Sequence, residues 1–510
     1  MDTVDNFLDK ITMYKLTLYY LMAIVGAAIF LSFIGVLSYN PTDILFETII
    51  VILVCYIANH VFAWIFNTNT NSESVFITAF ILVLIIPVKF PDNSVFFVLA
   101  SMLAMGIKYL PVIEKRHIFN PAAGSVAAFS LLSPEHTATW WVGTPALFPV
   151  VFIGGLLLAR KIQRENLVFT FLVIVSIFTC AAPFLHGGDF FSALNLLNQS
   201  VFRSALFFFA FVMLTEPLTS PTTKKLRGWY GGLVAVLYTT PQIRLLGLIL
   251  TPEMALCIGN VFSYFISPWS RFSLKLVEKI QVSFDTIDFV FFPEKKLAFI
   301  PGQYMEWMLP HKEIDERGSR RYFTIASSPT ENNIILGVKF YKNGSSYKRA
   351  MNFLSQGENI TASQIAGDFI LPKNKNQKLV FIAGGIGITP YRSILKYLLD
   401  MNERRDIVLL YSNKLANEIM YAADIFDSVQ RNLGVKIIYT LTDVDSIPQD
   451  WKGKTGRINA RMIADEVPDY NERLFYLSGS HEMVARFEQV LKDMKIPSSQ
   501  IKIDFFPGYA

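Results

Sequence analysis

A polytopic α-helical membrane domain of about ten spans, followed by an antiparallel β-barrel and then an α/β domain, is the fold class this sequence predicts. Three observations carry the expectation. Charge is unequally divided: residues 1–270 hold 14 basic and 13 acidic residues, whereas residues 271–510 hold 32 and 28. The first part is built of apolar runs near the ~20 residues that cross a bilayer as a helix. The second part changes, after Lys378, from short β-rich runs to strands alternating with helical stretches.

The first apolar run, Leu16 to Leu37, is too long for a signal-peptide core and has no clear cleavage site soon after it. Further spans are expected near 44–66, 74–90, 94–109, 120–134, 144–160, 166–185, 199–216, 229–248 and 251–268, with 120–134 short enough to be re-entrant. Ten spans put Lys115-Arg116, Arg160-Lys161 with Arg164, Lys224-Lys225 with Arg227, and Arg271 with Lys275 on one side. The links Ser133–Trp141 and His186–Gln199 contain no lysine or arginine. Cytoplasmic loops collect lysine and arginine. The expectation is therefore an integral protein of a prokaryotic cytoplasmic membrane, in contact with lipid, with both termini and the second half in the cytoplasm.

The net charge of +5 is small and dispersed, which argues against a nucleic-acid partner. Cys55, Cys180 and Cys257 all lie in apolar segments. That excludes a four-cysteine iron–sulfur cluster in the second half and gives no disulfide framework. No metal ligand set is expected.

Three domains are expected: 1–270, 273–372 and 376–510. In the second, Lys279–Phe284, Thr286–Phe292 and Asn333–Phe340 read as strands of a small barrel, with Lys342-Asn343-Gly344 as a turn. In the third, strands at 379–383, 406–412, 435–441 and 473–478 alternate with helices at 389–402, 417–431 and 481–494, the pattern of a parallel sheet.

Within this half, Arg320-Arg321-Tyr322-Phe323-Thr324-Ile325-Ala326-Ser327-Ser328-Pro329 joins basic, aromatic and hydroxyl side chains on one strand. Arginine can pair with a pyrophosphate in a bidentate way, and an aromatic can lie against a flat ring. Gly384-Gly385-Ile386-Gly387-Ile388-Thr389-Pro390 follows a strand and opens a helix, where backbone amides can hold a pyrophosphate. With Pro301-Gly302-Gln303-Tyr304, Gly367-Asp368-Phe369-Ile370-Leu371-Pro372 and the tail Phe505-Phe506-Pro507-Gly508-Tyr509, the order of motifs over residues 273–510 resembles the ferredoxin–NADP reductase superfamily.

The resemblance implies an FAD-binding barrel and an NAD(P)H-binding α/β domain. It gives Arg321, beside Tyr322, to the FAD pyrophosphate, Phe323 to the isoalloxazine, and Thr324 to the reactive flavin nitrogen. Gly344, Ser345 and Ser346 would add a second phosphate contact, or form only a turn. Gly384, Gly385, Gly387, Thr389 and Pro390 would hold the nicotinamide dinucleotide. Ser478, in Leu477-Ser478-Gly479-Ser480, stands where the family often has cysteine, and Tyr509 would cover the flavin. After the second strand, Lys414 could pair with a 2′-phosphate and no acid stands beside it, which leaves NADH and NADPH open.

The first half carries Ile118-Phe119-Asn120-Pro121-Ala122-Ala123-Gly124, Trp140-Trp141-Val142-Gly143-Thr144-Pro145 and Thr215-Glu216-Pro217-Leu218-Thr219-Ser220-Pro221. In this order within ten spans they resemble the flavin-carrying membrane subunit of sodium-pumping NADH:quinone reductase and Rnf complexes. That implies a second flavin, FMN or another, in the membrane domain. Thr144 is the position matching the family's phosphate-linked FMN; a helix cap before proline is the plainer role. The function expected is an oxidoreductase taking electrons from NAD(P)H through FAD to this flavin, then to a quinone or an extracytoplasmic acceptor, with electron-transfer proteins as further partners.

Two other readings compete. A haem-bearing ferric reductase or NADPH oxidase kind would need facing histidine pairs, and the first half has only His60, His117, His136 and His186. A transporter or scaffold with a redox-sensing domain would need ionisable groups in mid-span, which are few.

Overall fold

The computed structural model describes residue 8 and residues 11–506, apart from short stretches at 67–71, 110–111, 114–115, 133–136, 186, 222, 241–243, 246–247, 268–271, 313, 316–318 and 343. The chain divides into two compact units, Met1–Ser270 and Arg271–Ala510.

The first unit is helical: α1 (Met13–Phe33), α2 (Pro41–Ile65), α3 (Ser72–Ile85), α4 (Ser94–Ile107), α5 (Pro121–Leu132), α6 (Phe148–Lys161), α7 (Glu165–Leu185), α8 (Phe190–Phe202), α9 (Leu206–Met213), α10 (Lys224–Thr239) and α11 (Pro252–Ile266). Helix forms at each expected span, but the count of ten does not stand. Among the described residues, only α1, α2 and α7 are long and apolar enough to cross a membrane, or four spans if α8 and α9, bent by 58°, make one. The reason is length. At ~1.5 Å per residue, helices of 12–16 residues reach ~18–24 Å, short of the ~30 Å hydrocarbon core.

The short helices stop where other backbone takes over their terminal carbonyls. The N–H groups of Thr139 and Trp140 donate to Ile85 O at 3.0 Å each, Val142 N–H donates to Leu84 O at 3.3 Å, and Trp141 Nε1 donates to Val83 O at 2.7 Å. The tryptophan segment thus ends α3 and satisfies groups that helix ends leave orphaned. Two short hairpins, Val112–Ile113 with Arg116–His117 and Arg244–Leu245 with Leu248–Ile249, each precede a helix beginning at proline, α5 and α11. Asn120 caps α5 by accepting Ala123 N–H at 3.0 Å, while its own amide donates to Asn260 Oδ1 at 3.0 Å. Pro121 through Ala127 are all buried, as small residues allow where helices approach closely.

The second unit begins with β1 (Phe272–Ser283), β2 (Thr286–Pro293), β3 (Tyr304–Met308), β4 (Arg320–Thr324), β5 (Ile334–Lys339), α12 (Ser346–Phe353) and β6 (Asn359–Ala366). These strands form one antiparallel sheet in the order β4-β3-β6-β1-β2-β5, around Trp307, Tyr347, Phe289 and Phe291. The sheet is open rather than a closed barrel. Its ends β4 and β5 share no ladder; they meet through Ala326 N–H to Ile335 O at 2.9 Å and Ile335 N–H to Ser327 Oγ at 3.1 Å. Beyond Thr324 the chain turns away, with Ile325 N–H donating to Gln303 O, so β4 is too short to zip onto β5.

The rest is α/β: β7 (Leu379–Gly384), α13 (Thr389–Asp400), β8 (Ile407–Asn413), α14 (Asp427–Leu433), β9 (Lys436–Leu441), β10 (Lys454–Thr455), α15 (Ala460–Glu466), β11 (Leu474–Ser480), α16 (His481–Asp493) and β12 (Ile501–Phe506). All pairings are parallel, in the order β10-β9-β8-β7-β11-β12. Every residue of β7 is buried, as expected for a central strand covered on both faces. The strand order reverses between β7 and β11, and such a switch point opens a crevice at the carboxyl ends of the strands.

Polar ties join the two sheets of this unit. Arg392 on α13 makes a two-pronged pair with Glu331, at 2.9 and 3.1 Å, and also donates to Ala326 O. Ser393 Oγ donates to Ser327 O at 2.6 Å, and Tyr421 OH to Asp288 Oδ1 at 2.8 Å. Burial pushes the Asp288 carboxyl up to about 6, against the opposing hydrogen bond from Tyr421.

Candidate functional site

Strand β4 sets the first half of the site. Its alternation puts Arg321 and Phe323 on one face, where both approach Tyr347: the guanidinium carbon is 5.2 Å from that ring's centre and the Phe323 ring 6.0 Å. Tyr322 points the other way, half-exposed, edge-on to Tyr304 and donating to Gln364 Oε1 at 3.1 Å. Thr324 is buried on that second face.

Arg321 and the start of α12 converge on one carboxylate. Asp315 Oδ1 lies 4.0 Å from Arg321 Nη2, and Asp315 Oδ2 accepts the Ser346 N–H at 2.8 Å. Ser345 caps the helix by accepting Lys348 N–H, and Ser346 Oγ accepts the Asp315 amide at 2.9 Å. Gly344 directs its carbonyl to Arg349. A guanidinium and a helix N-terminus aimed at one point make an anion site, and Asp315 is the anion that stands there. These residues fit a phosphate-bearing cofactor.

The second half lies at the ends of β7 and β11. Residues Gly385–Ile388 form one tight turn leading into α13, with Pro390 in its first turn and Thr389 Oγ1 donating to Ile386 O at 3.1 Å. Gly387 is fixed by backbone contact, whereas Gly384 meets only the flexible side chain of Met483. A Cβ on Gly387 would lie 2.3 Å from Ser478 O, and one on Gly384 would strike Met483 Sδ. Gly385 differs: it adopts φ +51° and faces open space, where a ligand backbone could approach.

Ser478 is 1% exposed, and its Oγ has no hydrogen-bond partner among the described residues. Register sets it between Ala383 on one side and Asp504 on the other. The Asp504 carboxyl is pushed up to about 7 by burial, with the Thr324 hydroxyl facing it and opposing the rise. Thr324, Ser478 and Asp504 thus converge from two sheets. Asp504 is the residue sequence reasoning missed. Its signal was an acid inside the apolar tail Ile503-Asp504-Phe505-Phe506, one residue before the stretch singled out. Tyr509 lies outside the described residues.

The end of β8 also differs from its sequence reading. Glu418 Oε2 accepts the amides of Lys414 and Leu415, at 2.9 and 3.4 Å, and Oε1 faces Lys339 Nζ at 3.4 Å. An acid therefore does stand beside Lys414, brought back by a turn.

Thr144 is away from all of this, in the first unit. Its Oγ1 is buried without a partner among the described residues, beside a cavity of ≈10 Å³ lined also by Val142, Phe148, Phe202 and Ser204. That volume suits about one water. A Cβ on the adjacent Gly143 would lie 2.3 Å from Ala205 N, so the turn is pressed against the bend between α8 and α9.

The two sheets of the second unit match known domains. Residues 273–369 match the oxidoreductase FAD-binding domain, and residues 381–489 the oxidoreductase NAD-binding domain. Residues 273–489 are therefore a ferredoxin reductase-like FAD/NAD-binding module, the kind found in NAD(P)H-dependent flavin oxidoreductases. Among similar proteins is the glycine betaine monooxygenase reductase subunit of Chromohalobacter salexigens, 26% identical over 44% of this chain and 60% of that protein. A flavohemoprotein of Oceanobacillus iheyensis is 24% identical over 47% of this chain and 60% of its own. NADH-cytochrome b5 reductase 1 of Mortierella alpina is 28% identical over 43% and 74%. The match to the first two spans about three-fifths of their length. Among solved structures, an Amycolatopsis cytochrome P450 reductase overlaps with TM-score 0.42 at 21% identity, covering 47% of this chain and 70% of that one.

Proposed function

We propose that the whole chain is a membrane oxidoreductase. Electrons enter from NAD(P)H at the second unit and leave through the first toward a quinone or an extracytoplasmic acceptor. The observation that carries this reading is the meeting of Thr324, Ser478 and Asp504 at the switch point, in a chain whose other unit has three or four helices able to cross a membrane. Bound FAD supplies two-electron exchange with NAD(P)H and one-electron exchange with an acceptor. The chain's own residues do the rest. Arg321 and the amides of Ser345 and Ser346 bind the pyrophosphate in place of Asp315. Gly385 lets the nicotinamide dinucleotide approach the start of α13. Ser478 orients the nicotinamide, and Asp504 holds or releases a proton next to the Thr324 hydroxyl.

In the first unit the reading includes a flavin, FMN or another, and a resemblance to the sodium-pumping reductase and Rnf subunits. A covalent phosphate link at Thr144 would require the α8–α9 bend to open around the ≈10 Å³ cavity. The haem reading is weakened by His60: it lies on the exposed side of α2, with Nδ1 bonded to Tyr56 O at 2.8 Å. His136 and His186 lie outside the described residues, as does the side chain of His117. The proposed location is a prokaryotic cytoplasmic membrane with the second unit in the cytoplasm.

The test is NAD(P)H oxidation by the detergent-purified protein with ferricyanide and with a soluble quinone, alongside acid release and quantification of flavin. Turnover with both acceptors supports the reading. A haem absorption band, or no oxidation of either nucleotide by flavin-loaded protein, overturns it.

A further inference from the structure

The α2–α4 seam of the first unit carries polar groups that electron transfer does not use. On α2, Glu47, Val51, Cys55 and Asn59 recur every fourth residue and so share one face. On α4 and just beyond it, Ser94, Ser101 and Lys108 recur every seventh. The two sets meet in order. Ser94 Oγ donates to Glu47 Oε1 at 2.8 Å, the Ser101 hydroxyl lies against the Cys55 thiol, and Tyr109 OH donates to Asn59 Oδ1 at 3.0 Å. Lys108 Nζ closes the line, donating to Ser74 O at 3.0 Å and to Ser74 Oγ at 3.3 Å.

Glu47, Cys55 and Ser101 have no exposed surface, and Asn59 is 3% exposed. Glu47 Oε2 and Asn59 Nδ2 have no hydrogen-bond partner among the described residues. Such groups are costly inside a bilayer and mark ion or proton pathways when they line up. Helix association draws on close packing of small residues and on hydrogen bonds between helices. It gives no reason for a carboxylate at one end, an ammonium at the other, and unsatisfied atoms between them. Along the helix axis the line runs ~18 Å, more than half of the ~30 Å core.

We propose that this seam conducts protons: Glu47 takes a proton from water at its end and passes it, through waters held by Ser101 and Asn59, to neutral Lys108, which releases it to water at the other end. Each hop moves one proton between oxygen or nitrogen lone pairs, and no electron is transferred. The inference rests on the reading of the first unit as membrane-spanning, and its test separates the two. The full chain is reconstituted in liposomes holding a fluorescent pH indicator, then polarised with a potassium gradient and valinomycin. The expected result is internal pH change faster than in empty liposomes. Glu47→Gln should fall to the empty-liposome rate and Glu47→Asp should keep a measurable fraction. Both should retain full flavin content and wild-type NAD(P)H–quinone turnover; the latter runs through the first unit on the proposed reading, so misfolding there would lower it. A wild-type rate equal to that of empty liposomes overturns the seam, as does an unaltered Glu47→Gln rate or a current carried by sodium instead. Release of the chain from liposomes by alkaline carbonate would overturn the membrane reading itself, and the seam with it.

Discussion

Asp504 gives the account its sharpest residue-scale test. Burial pushes its carboxyl up to about 7 in the folded chain, against an ordinary value of 3.8. The folded state therefore binds the proton more tightly, and stability falls as pH rises from about 4 to about 7. Above that window the cost of the buried charge is fully present. Asp504→Asn should raise the stability of the second unit on the order of 2 kcal/mol at pH 8 and leave it nearly unchanged at pH 4, by denaturant unfolding. Equal effects at both pH values would contradict the burial of that charge. Arg321 is tested by occupancy. Arg321→Ala removes a charge-assisted contact worth ~1.5–3 kcal/mol, so FAD should dissociate on dilution to low micromolar protein. Full retention would remove Arg321 from the site. At this scale the sequence shows a strand that joins basic, aromatic and hydroxyl side chains, and the fold adds that its period of two sets Arg321 and Phe323 together, apart from Tyr322. Asp504 and Glu418 were harder to see. Each depends on a partner far along the chain, Thr324 or Lys339, that no local pattern names.

Among the elements, the turn at Gly384–Gly387 is the most constrained. A methyl at Gly387 would meet the backbone carbonyl of Ser478 at 2.3 Å, with no flexible side chain to yield. Gly387→Ala should cost on the order of 2 kcal/mol and raise KM for NAD(P)H, because the loop must leave β11 to admit it. A KM unchanged in steady-state assays would show that the turn does not hold the dinucleotide. Strands β7, β8, β9 and β11 lie close to their sequence boundaries because short apolar runs between turn residues suffice to define them. The spans were less legible. The apolar run through Ile86-Pro87-Val88 continues past the end of α3 at Ile85, and hydropathy does not say where backbone stops being helical. Closure of the first sheet was equally hidden, since it depends on whether β4 and β5, which are not sequence neighbours, form a ladder.

For the whole molecule, the division at residue 270 makes separability the natural expectation. A fragment of residues 273–510 should be soluble and yellow, and should reduce ferricyanide with NAD(P)H, since both matched domains and the Thr324–Ser478–Asp504 cluster lie within it. A folded fragment without flavin would contradict the assignment of the anion site. The central claim is that electrons pass from the second unit through the first, and one measurement addresses it directly. Full-length protein in lipid nanodiscs and the fragment are each reduced anaerobically with a stoichiometric amount of NAD(P)H, mixed with a membrane quinone, and followed by flavin absorbance. The account predicts rapid reoxidation of the full-length protein and slow reoxidation of the fragment. Equal rates for the two would contradict it.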